Sequence, residues 1–123
     1  MRVLVDTSIW INHVRKRDAM LDGLLQEDRV VTHPFVIGEL ALGSIRSGDK
    51  VVANLLQLPS ISAVDQNELL VFIEVKKLSG TGIGFLDASL LASAAVAQVQ
   101  FWTSDRNAAA IALRLGVAFQ DAR

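Results

Sequence analysis

Apolar side chains recur along this chain in two patterns, short continuous runs and longer stretches with helical spacing. Runs rich in β-branched and aromatic residues predict buried strands. Stretches in which apolar residues return every three or four positions predict helices. The predicted strands are Arg2–Asp6, Arg29–Thr32, Ile61–Val64, Gln100–Thr103 and Val117–Phe119, and the predicted helices are Ile9–Val14, Asp18–Gln26, Pro34 to about Gly43 or Ser44, Asp49–Leu58, Asp65–Leu78, Phe85 or Leu86 to Ala97, and Arg106–Leu115.

Residues at the ends of these elements support the boundaries. Thr7 or Ser8 can cap the first helix, since a side-chain oxygen there accepts from a free backbone N–H. Pro34 suits the first helical position, Pro59 ends a helix, and Gly116 stands where helices commonly stop. Strands that alternate with helices imply an α/β fold, with a parallel sheet covered on both faces and right-handed crossovers.

Composition limits the class of protein. The chain has 123 residues, of which 51% are hydrophobic and 20% charged, so we expect one folded domain over residues 1–123. Cysteine is absent, which removes disulfides and thiolate chemistry. The stretch before Asp6 is too short for a signal peptide, and the apolar run Ala88–Ala97 is about half of a membrane span. We therefore expect a cytoplasmic protein without a membrane segment.

Charge gives no global indication of a nucleic-acid partner. The net charge is −1 and the sequence pI is about 6.1, so binding to a polyanion would need a local basic patch. Clusters of basic residues are usually solvated helix ends or loops, and that interpretation applies to each cluster here. The candidates are Arg15-Lys16-Arg17, Arg46 with Lys50, Lys76-Lys77, and Arg106.

Three acidic residues stand alone in long apolar stretches. Asp6 is the only charged residue between Arg2 and Arg15, and Asp87 is the only one between Lys77 and Asp105. Glu39 is equally isolated. Helical spacing groups Glu39 with apolar neighbours and Asp87 with Leu90, Leu91 and Ala94, so the sequence predicts that both carboxylates are buried. A buried carboxylate is costly unless it is paired, hydrogen-bonded or bound to a cation.

A fourth acid, Asp105, follows a predicted strand as Asp6 does. Parallel sheets place their ligand sites at the carboxyl ends of strands, which favours a common site for both residues. Each acid also has a structural explanation. Asp6 and Asp105 can be helix N-caps, Glu39 a paired buried acid, and Asp87 a partner of its helix dipole.

One shared cause explains all four acids more simply than four separate ones. Clustered carboxylates repel one another unless a divalent cation neutralises them. All-oxygen ligation favours Mg²⁺ or Mn²⁺ over zinc. A cation held by carboxylates can activate water for hydrolysis at phosphorus, which is the chemistry that the acids indicate.

These residues resemble the PIN-domain ribonucleases, and among them the VapC-like toxins of bacterial and archaeal toxin–antitoxin pairs. The resemblance covers nearly the whole chain. It rests on four segments in order, which are Asp6-Thr7-Ser8-Ile9-Trp10, Gly38-Glu39-Leu40, Leu86-Asp87-Ala88-Ser89-Leu90-Leu91-Ala92 and Thr103-Ser104-Asp105.

The resemblance implies an α/β/α sandwich around a central, mostly parallel sheet of about five strands, and an endoribonuclease that depends on Mg²⁺ or Mn²⁺. It implies that the metal ligands and catalytic acids are Asp6, Glu39, Asp87 and Asp105, with the hydroxyls of Thr7 and Ser104 as helpers. It also implies an RNA substrate, a homodimer and a cognate antitoxin protein.

Other interpretations remain open. A phosphorelay receiver domain would need a second acid beside Asp6, where the chain has Val5 and Thr7, and a phosphatase would need an aspartate at Ser8. A PIN-like scaffold without catalysis would bind protein or RNA alone. The histidines have ordinary structural explanations, since His33 fits a helix cap and His13 a helix end.

Overall fold

The sheet has the acid-bearing first strand at its centre. The structure is a computed structural model that describes residues 1–45 and 47–120. Strands β1 (Val3–Val5), β2 (Val30–Val31) and β3 (Gln100–Trp102) form a parallel sheet in the order β2-β1-β3. Val3 pairs with Val30 on one side and with Gln100 on the other. The three residues of β1 are fully buried, as expected for a central strand covered on both faces.

The two outer strands of the prediction are each reduced to a single bridge. Ser60 pairs in parallel with Thr32, and Ala118 with Phe101. The predicted strand Ile61–Val64 is wrong, because the N–H of Val64 donates to the Ser93 hydroxyl at 3.3 Å and so is not available to a neighbouring strand. The sheet of about five strands is thus three strands extended by two bridges in the described residues.

Seven helices surround this sheet in the described part of the chain, close to the predicted positions. The largest differences are in the fourth and fifth helices, which end at Leu55 and Val75, three residues earlier than predicted, and Leu56 is 65% exposed. The helices are α1 (Thr7–Arg15), α2 (Ala19–Gln26), α3 (Pro34–Leu42), α4 (Gly48–Leu55), α5 (Gln66–Val75), α6 (Phe85–Ala97) and α7 (Arg106–Arg114).

The helix ends explain why the elements start where they do. α1 begins at Thr7, so the prediction that Thr7 or Ser8 precedes the helix as its cap is wrong, and Asp6 occupies that position. Asp65 forms a capping box with Glu68 at the start of α5. Gly116 adopts a φ of +77° just after α7, a conformation that glycine adopts without strain.

Helix α6 lies deepest among the helices. Every residue from Ala88 to Ala94 is buried, including Ser89 and Ser93. A helix that is apolar on all sides belongs in a core, and this burial fixes the orientation of Asp87 at its first turn. Within the described residues, no helix combines the length and the hydropathy that a membrane crossing requires.

Candidate active site

Asp6 occupies a helix-capping position without acting as a cap. It follows β1 directly, and its side chain accepts no hydrogen bond from the α1 backbone. Its Oδ2 instead accepts from the hydroxyls of Ser8, at 3.0 Å, and Thr103, at 2.8 Å. The residue is 7% exposed. Two hydroxyl donors hold this buried carboxylate in one orientation and satisfy one oxygen, while Oδ1 has no hydrogen bond in the described residues.

The ends of β1 and β3 are joined by polar contacts. The Thr103 hydroxyl donates to Asp6 and accepts from the backbone N–H of Asp105 at 3.1 Å. The Ser8 hydroxyl accepts from the N–H of Ser104, also at 3.1 Å. Because β1 and β3 are neighbours in a parallel sheet, their carboxyl ends lie side by side, and these contacts fix Asp6 relative to the loop before α7.

Asp105 is a helix cap. Its Oδ2 accepts from the N–H of Ala108 at 2.8 Å, and it stands at the N-cap position of α7. The residue is exposed. The structural explanation for this aspartate therefore holds, and its other oxygen is the one available to a ligand.

Glu39 reaches the site from α3. The Thr7 hydroxyl donates to its Oε1 at 2.7 Å, so the start of α1 and the middle of α3 are joined at the carboxylate. Glu39 is exposed, and the prediction that α3 buries this acid with its apolar face is wrong. Phe35 and Leu42 on the same helix are exposed as well, at 40% and 90%, because α3 packs through Val36 and Leu40.

The charges of the other three acids affect the pKa of Asp87. Burial raises the pKa of this carboxyl to about 6, and the charges of Asp6, Asp105 and Glu39 contribute to the rise. The four acids predicted from the sequence are thus close enough to influence one another. No ion pair found in residues 1–45 and 47–120 involves any of the four, so their mutual repulsion is not offset by a basic side chain.

The donor set suits a hard divalent cation. It consists of four carboxylates with hydroxyls around them and contains no thiolate or imidazole, which is the chemistry that Mg²⁺ and Mn²⁺ prefer. Within the described ranges, no three acidic or histidine side chains are already drawn together as a complete metal site. The residues present fit such an ion in kind, and their carboxylates would have to approach one another to hold it.

The hydroxyl groups around the acids differ in part from those expected. Thr7 contacts Glu39 as a helper would, whereas the exposed Ser104 side chain makes no hydrogen bond to the other described residues, and only its backbone N–H is engaged. Ser8 and Thr103 orient Asp6 and were not among the predicted site residues. A signal was present, since both lie within three residues of an acid at a strand end.

Asn107 also contributes to the site by joining two of its segments. Its side-chain amide donates to the carbonyl of Thr81 at 2.9 Å, which ties the first turn of α7 to the loop before α6. At Gly82, whose φ is +87°, an added Cβ would lie 2.9 Å from this amide. The backbone conformation therefore favours glycine there, and a larger residue would displace the Asn107 amide.

The histidines have the structural roles expected. His33 caps α3 by accepting from the N–H of Phe35 at 3.0 Å. His13 lies in the last turn of α1 and accepts from the N–H of Asp18 at 2.8 Å. Neither ring contacts the four acids.

Asp22 pairs with Arg17 at 2.6 Å, and this guanidinium lowers the pKa of the Asp22 carboxyl.

The remaining basic candidates are solvent-facing. Arg106 is exposed in the first turn of α7, next to Asp105, and is the basic candidate adjacent in sequence to a site acid. Arg46 lies outside the described residues. The other candidates are exposed and are Arg15, Lys16, Lys50, Lys76 and Lys77.

A parallel sheet that places Asp6 and Asp105 at the carboxyl ends of neighbouring strands defines an α/β protein with an acidic site at the sheet edge. The PIN domain family matches residues 3–113, so this chain belongs to the PIN domain family. The crystal structure of PAE2754 from Pyrobaculum aerophilum superposes with a TM-score of 0.62 over 94% of this chain and 90% of that one, at 18% identity. The α/β sandwich fold is confirmed.

Two curated relatives carry the comparison further. Ribonuclease VapC32 of Mycobacterium tuberculosis, from strain CDC 1551 / Oshkosh and from strain ATCC 25618 / H37Rv, is 42% identical over 120 residues, covering 97% of each chain. The resemblance to VapC-like PIN proteins is thereby confirmed. The receiver and phosphatase interpretations are excluded by the family.

Proposed function

We propose that this protein is an endoribonuclease that depends on Mg²⁺ or Mn²⁺ and serves as the toxin of a toxin–antitoxin pair. The observation that carries the proposal is the convergence of three carboxylates on Asp87, whose pKa is raised to about 6 by burial and by these three charges. The 42% identity to proteins named ribonuclease VapC32 supports RNA as the substrate.

In this proposal Asp6, Glu39, Asp87 and Asp105 are the metal ligands. A bound divalent cation supplies charge neutralisation at the phosphodiester and a water of lowered pKa. Asp6 is pre-oriented for such a role by its two hydroxyl donors, and Glu39 by Thr7. Pre-oriented ligands lose little conformational entropy when they bind.

The elevated pKa of Asp87 makes metal binding depend on pH. The carboxyl titrates near pH 6 in the free protein, so below that pH a proton competes with the cation for it. A cation at the site would favour its ionised form. Asp87 is therefore the proposed acid on which cleavage depends most on pH. The exposed hydroxyl of Ser104 stays a candidate to contact substrate.

The partners follow from the same assignment. We expect RNA to approach across the exposed Arg106 and a cognate antitoxin to block the site. We also expect the protein to form a homodimer in the cytoplasm. The name of the curated relatives supports the antitoxin, and the dimer and the compartment are proposals from the family resemblance.

The test is cleavage of a panel of structured and single-stranded RNAs by purified protein, with Mg²⁺, with Mn²⁺ and with chelator. Asp87→Asn is compared with Asp49→Asn, a matched change at an exposed acid in the first turn of α4. Discrete cuts that need metal and Asp87, and that survive Asp49→Asn, are the expected result.

Absence of cleavage combined with absence of Mg²⁺ or Mn²⁺ binding by calorimetry would contradict the proposal. It would favour the scaffold interpretation, in which the fold binds protein or RNA without hydrolysis. Cleavage that persists undiminished in chelator would contradict the metal requirement alone.

A further inference from the structure

A buried histidine joins the two helices that carry Glu39 and Asp87. His33 is fully buried at the start of α3. Its Nδ1 accepts from the N–H of Phe35, so the neutral ring carries its proton on Nε2, which lies 3.0 Å from the Ser93 hydroxyl. Burial lowers the pKa of His33 to about 4, which keeps the ring neutral and in this tautomer at neutral pH.

Ser93 completes a closed network in the core. Its Oγ donates to the carbonyl of Ser89 at 2.8 Å and accepts from the N–H of Val64 at 3.3 Å. With the His33 Nε2–H as a second donor, the hydroxyl uses its one proton and both lone pairs. Such a satisfied buried network has one low-energy arrangement, since losing any member leaves an unpaired group.

On each helix, the residue of the His33–Ser93 hydrogen bond and the acid are separated by the same number of residues. Glu39 follows His33 by six residues, and Asp87 precedes Ser93 by six. At a rise of about 1.5 Å per residue, each acid lies about 9 Å along its helix from the joined pair. Glu39 accepts from the hydroxyl of Thr7, next to Asp6, so α3 runs from His33 toward the acidic site, whereas α6 carries Asp87 in its first turn.

We propose that His33 is a positioning residue, which sets the separation between Glu39 and Asp87 through its hydrogen bond to Ser93. This inference rests on the proposed function for its catalytic meaning. A shift of α3 along α6 would move the two carboxylates apart, and no other hydrogen bond between side chains of these helices exists in the described residues. The Thr7 contact holds Glu39 against α1. It does not set the distance between Glu39 and Asp87, which we assign to the His33–Ser93 hydrogen bond.

The experiment uses two variants, each of which removes one partner of the His33–Ser93 hydrogen bond. Ser93→Ala deletes the acceptor, and His33→Asn keeps a capping oxygen for α3 while its shorter side chain leaves Ser93. Side-chain carboxyl ¹³C chemical shifts are recorded without metal for wild type, both variants and the double variant. Glu74, exposed on α5, is the internal reference.

We expect the Glu39 and Asp87 signals to move in both single variants, while the Glu74 signal stays unchanged. The double variant should match the single ones, since residues that act through one bond are not additive. If His33→Asn does not fold, Ser93→Ala decides. Unmoved Glu39 and Asp87 signals in a folded variant would overturn the inference.

Kinetics supply a second readout. We expect kcat for RNA cleavage to fall about 10- to 100-fold in both variants, as for residues that orient ligands, with little change in KM. Ser89→Ala, a buried serine on the same helix, is the control for loss of a hydroxyl and should retain kcat. If wild type neither cleaves RNA nor binds Mg²⁺ or Mn²⁺, the proposed function fails, and the carboxyl shifts still decide the role of His33.

Discussion

Two aspartates in this molecule have the same local setting and different duties. Asp6 and Asp105 each follow a parallel strand and precede a helix, and the two strands are neighbours. Asp105 uses an oxygen to cap α7, whereas Asp6 leaves the α1 backbone uncapped and is held by two hydroxyls. Under the proposed function both are metal ligands, but Asp105 also stabilises the fold as a cap, whereas the hydrogen bonds of Asp6 only orient its carboxylate.

The largest expected effect is on RNA cleavage, when the charge of Asp6 or of Asp105 is removed. Asp6→Asn should lower RNA cleavage by at least about 100-fold, because it removes a buried, pre-oriented ligand, while Asp105→Asn should cost clearly less. Single-turnover cleavage in Mg²⁺ measures both. Equal losses would mean that the exposed cap and the buried acid serve the chemistry alike.

The second prediction concerns stability and its pH dependence. The Asp87 carboxyl binds its proton more tightly in the folded protein than in the unfolded chain, so this group's contribution falls as pH rises from about 4 to about 6. Since the side chain is only half-buried, Asp87→Asn should raise the free energy of unfolding at pH 7 by roughly 1–2 kcal/mol in chelator.

Urea denaturation at pH 7 and pH 4 measures that gain. It should shrink toward zero at pH 4, where the wild-type carboxyl is already protonated. An Asn variant that is less stable than wild type at pH 7 would show that the Asp87 charge supports the fold.

The hydroxyl donors of Asp6 allow a smaller test. Thr103→Val keeps the volume and removes the donor to Asp6, so cleavage should fall about 10-fold, in the range seen for groups that orient ligands. Thr103→Ser retains the hydroxyl and should restore most of the rate. Full activity of the valine variant in the same assay would remove Thr103 from the mechanism.

The smallest effect should be seen at the cap itself. Asp105→Ala should lower the free energy of unfolding by about 1 kcal/mol, and Asp105→Asn by less, because asparagine also caps helices. Thermal denaturation in chelator ranks the two variants, and an unchanged midpoint for Asp105→Ala would remove the cap from the account of α7.

The sequence predicted the acids better than their surroundings. Isolation among apolar residues found Asp6 and Asp87, because a lone charge in a buried strand or helix is rare without a purpose. The same argument predicted that Glu39 is buried, which is wrong. Helical spacing cannot say how much of an apolar face finds a partner, and α3 leaves Leu42 90% exposed.

Contacts between distant segments were the least predictable. The Thr103–Asp6 bond joins residues 97 positions apart, and the His33–Ser93 bond joins residues 60 apart. Neither follows from local periodicity, since both depend on strand order and helix packing. The strand predicted at Ile61–Val64 failed for the same reason, because Ser93 takes the Val64 N–H.

The central place of β1 has a consequence for the timing of local motion. Val3 and Leu4 pair with strands on both sides, Val5 pairs with β3, and all three are fully buried, so their amides should exchange with deuterium only when the whole protein unfolds. Glu39 and Asp105 are exposed, and the amides around them should exchange sooner, through local opening. The acidic cluster therefore combines two acids on slowly exchanging elements, Asp6 after β1 and Asp87 on the buried α6, with two acids in regions that exchange faster.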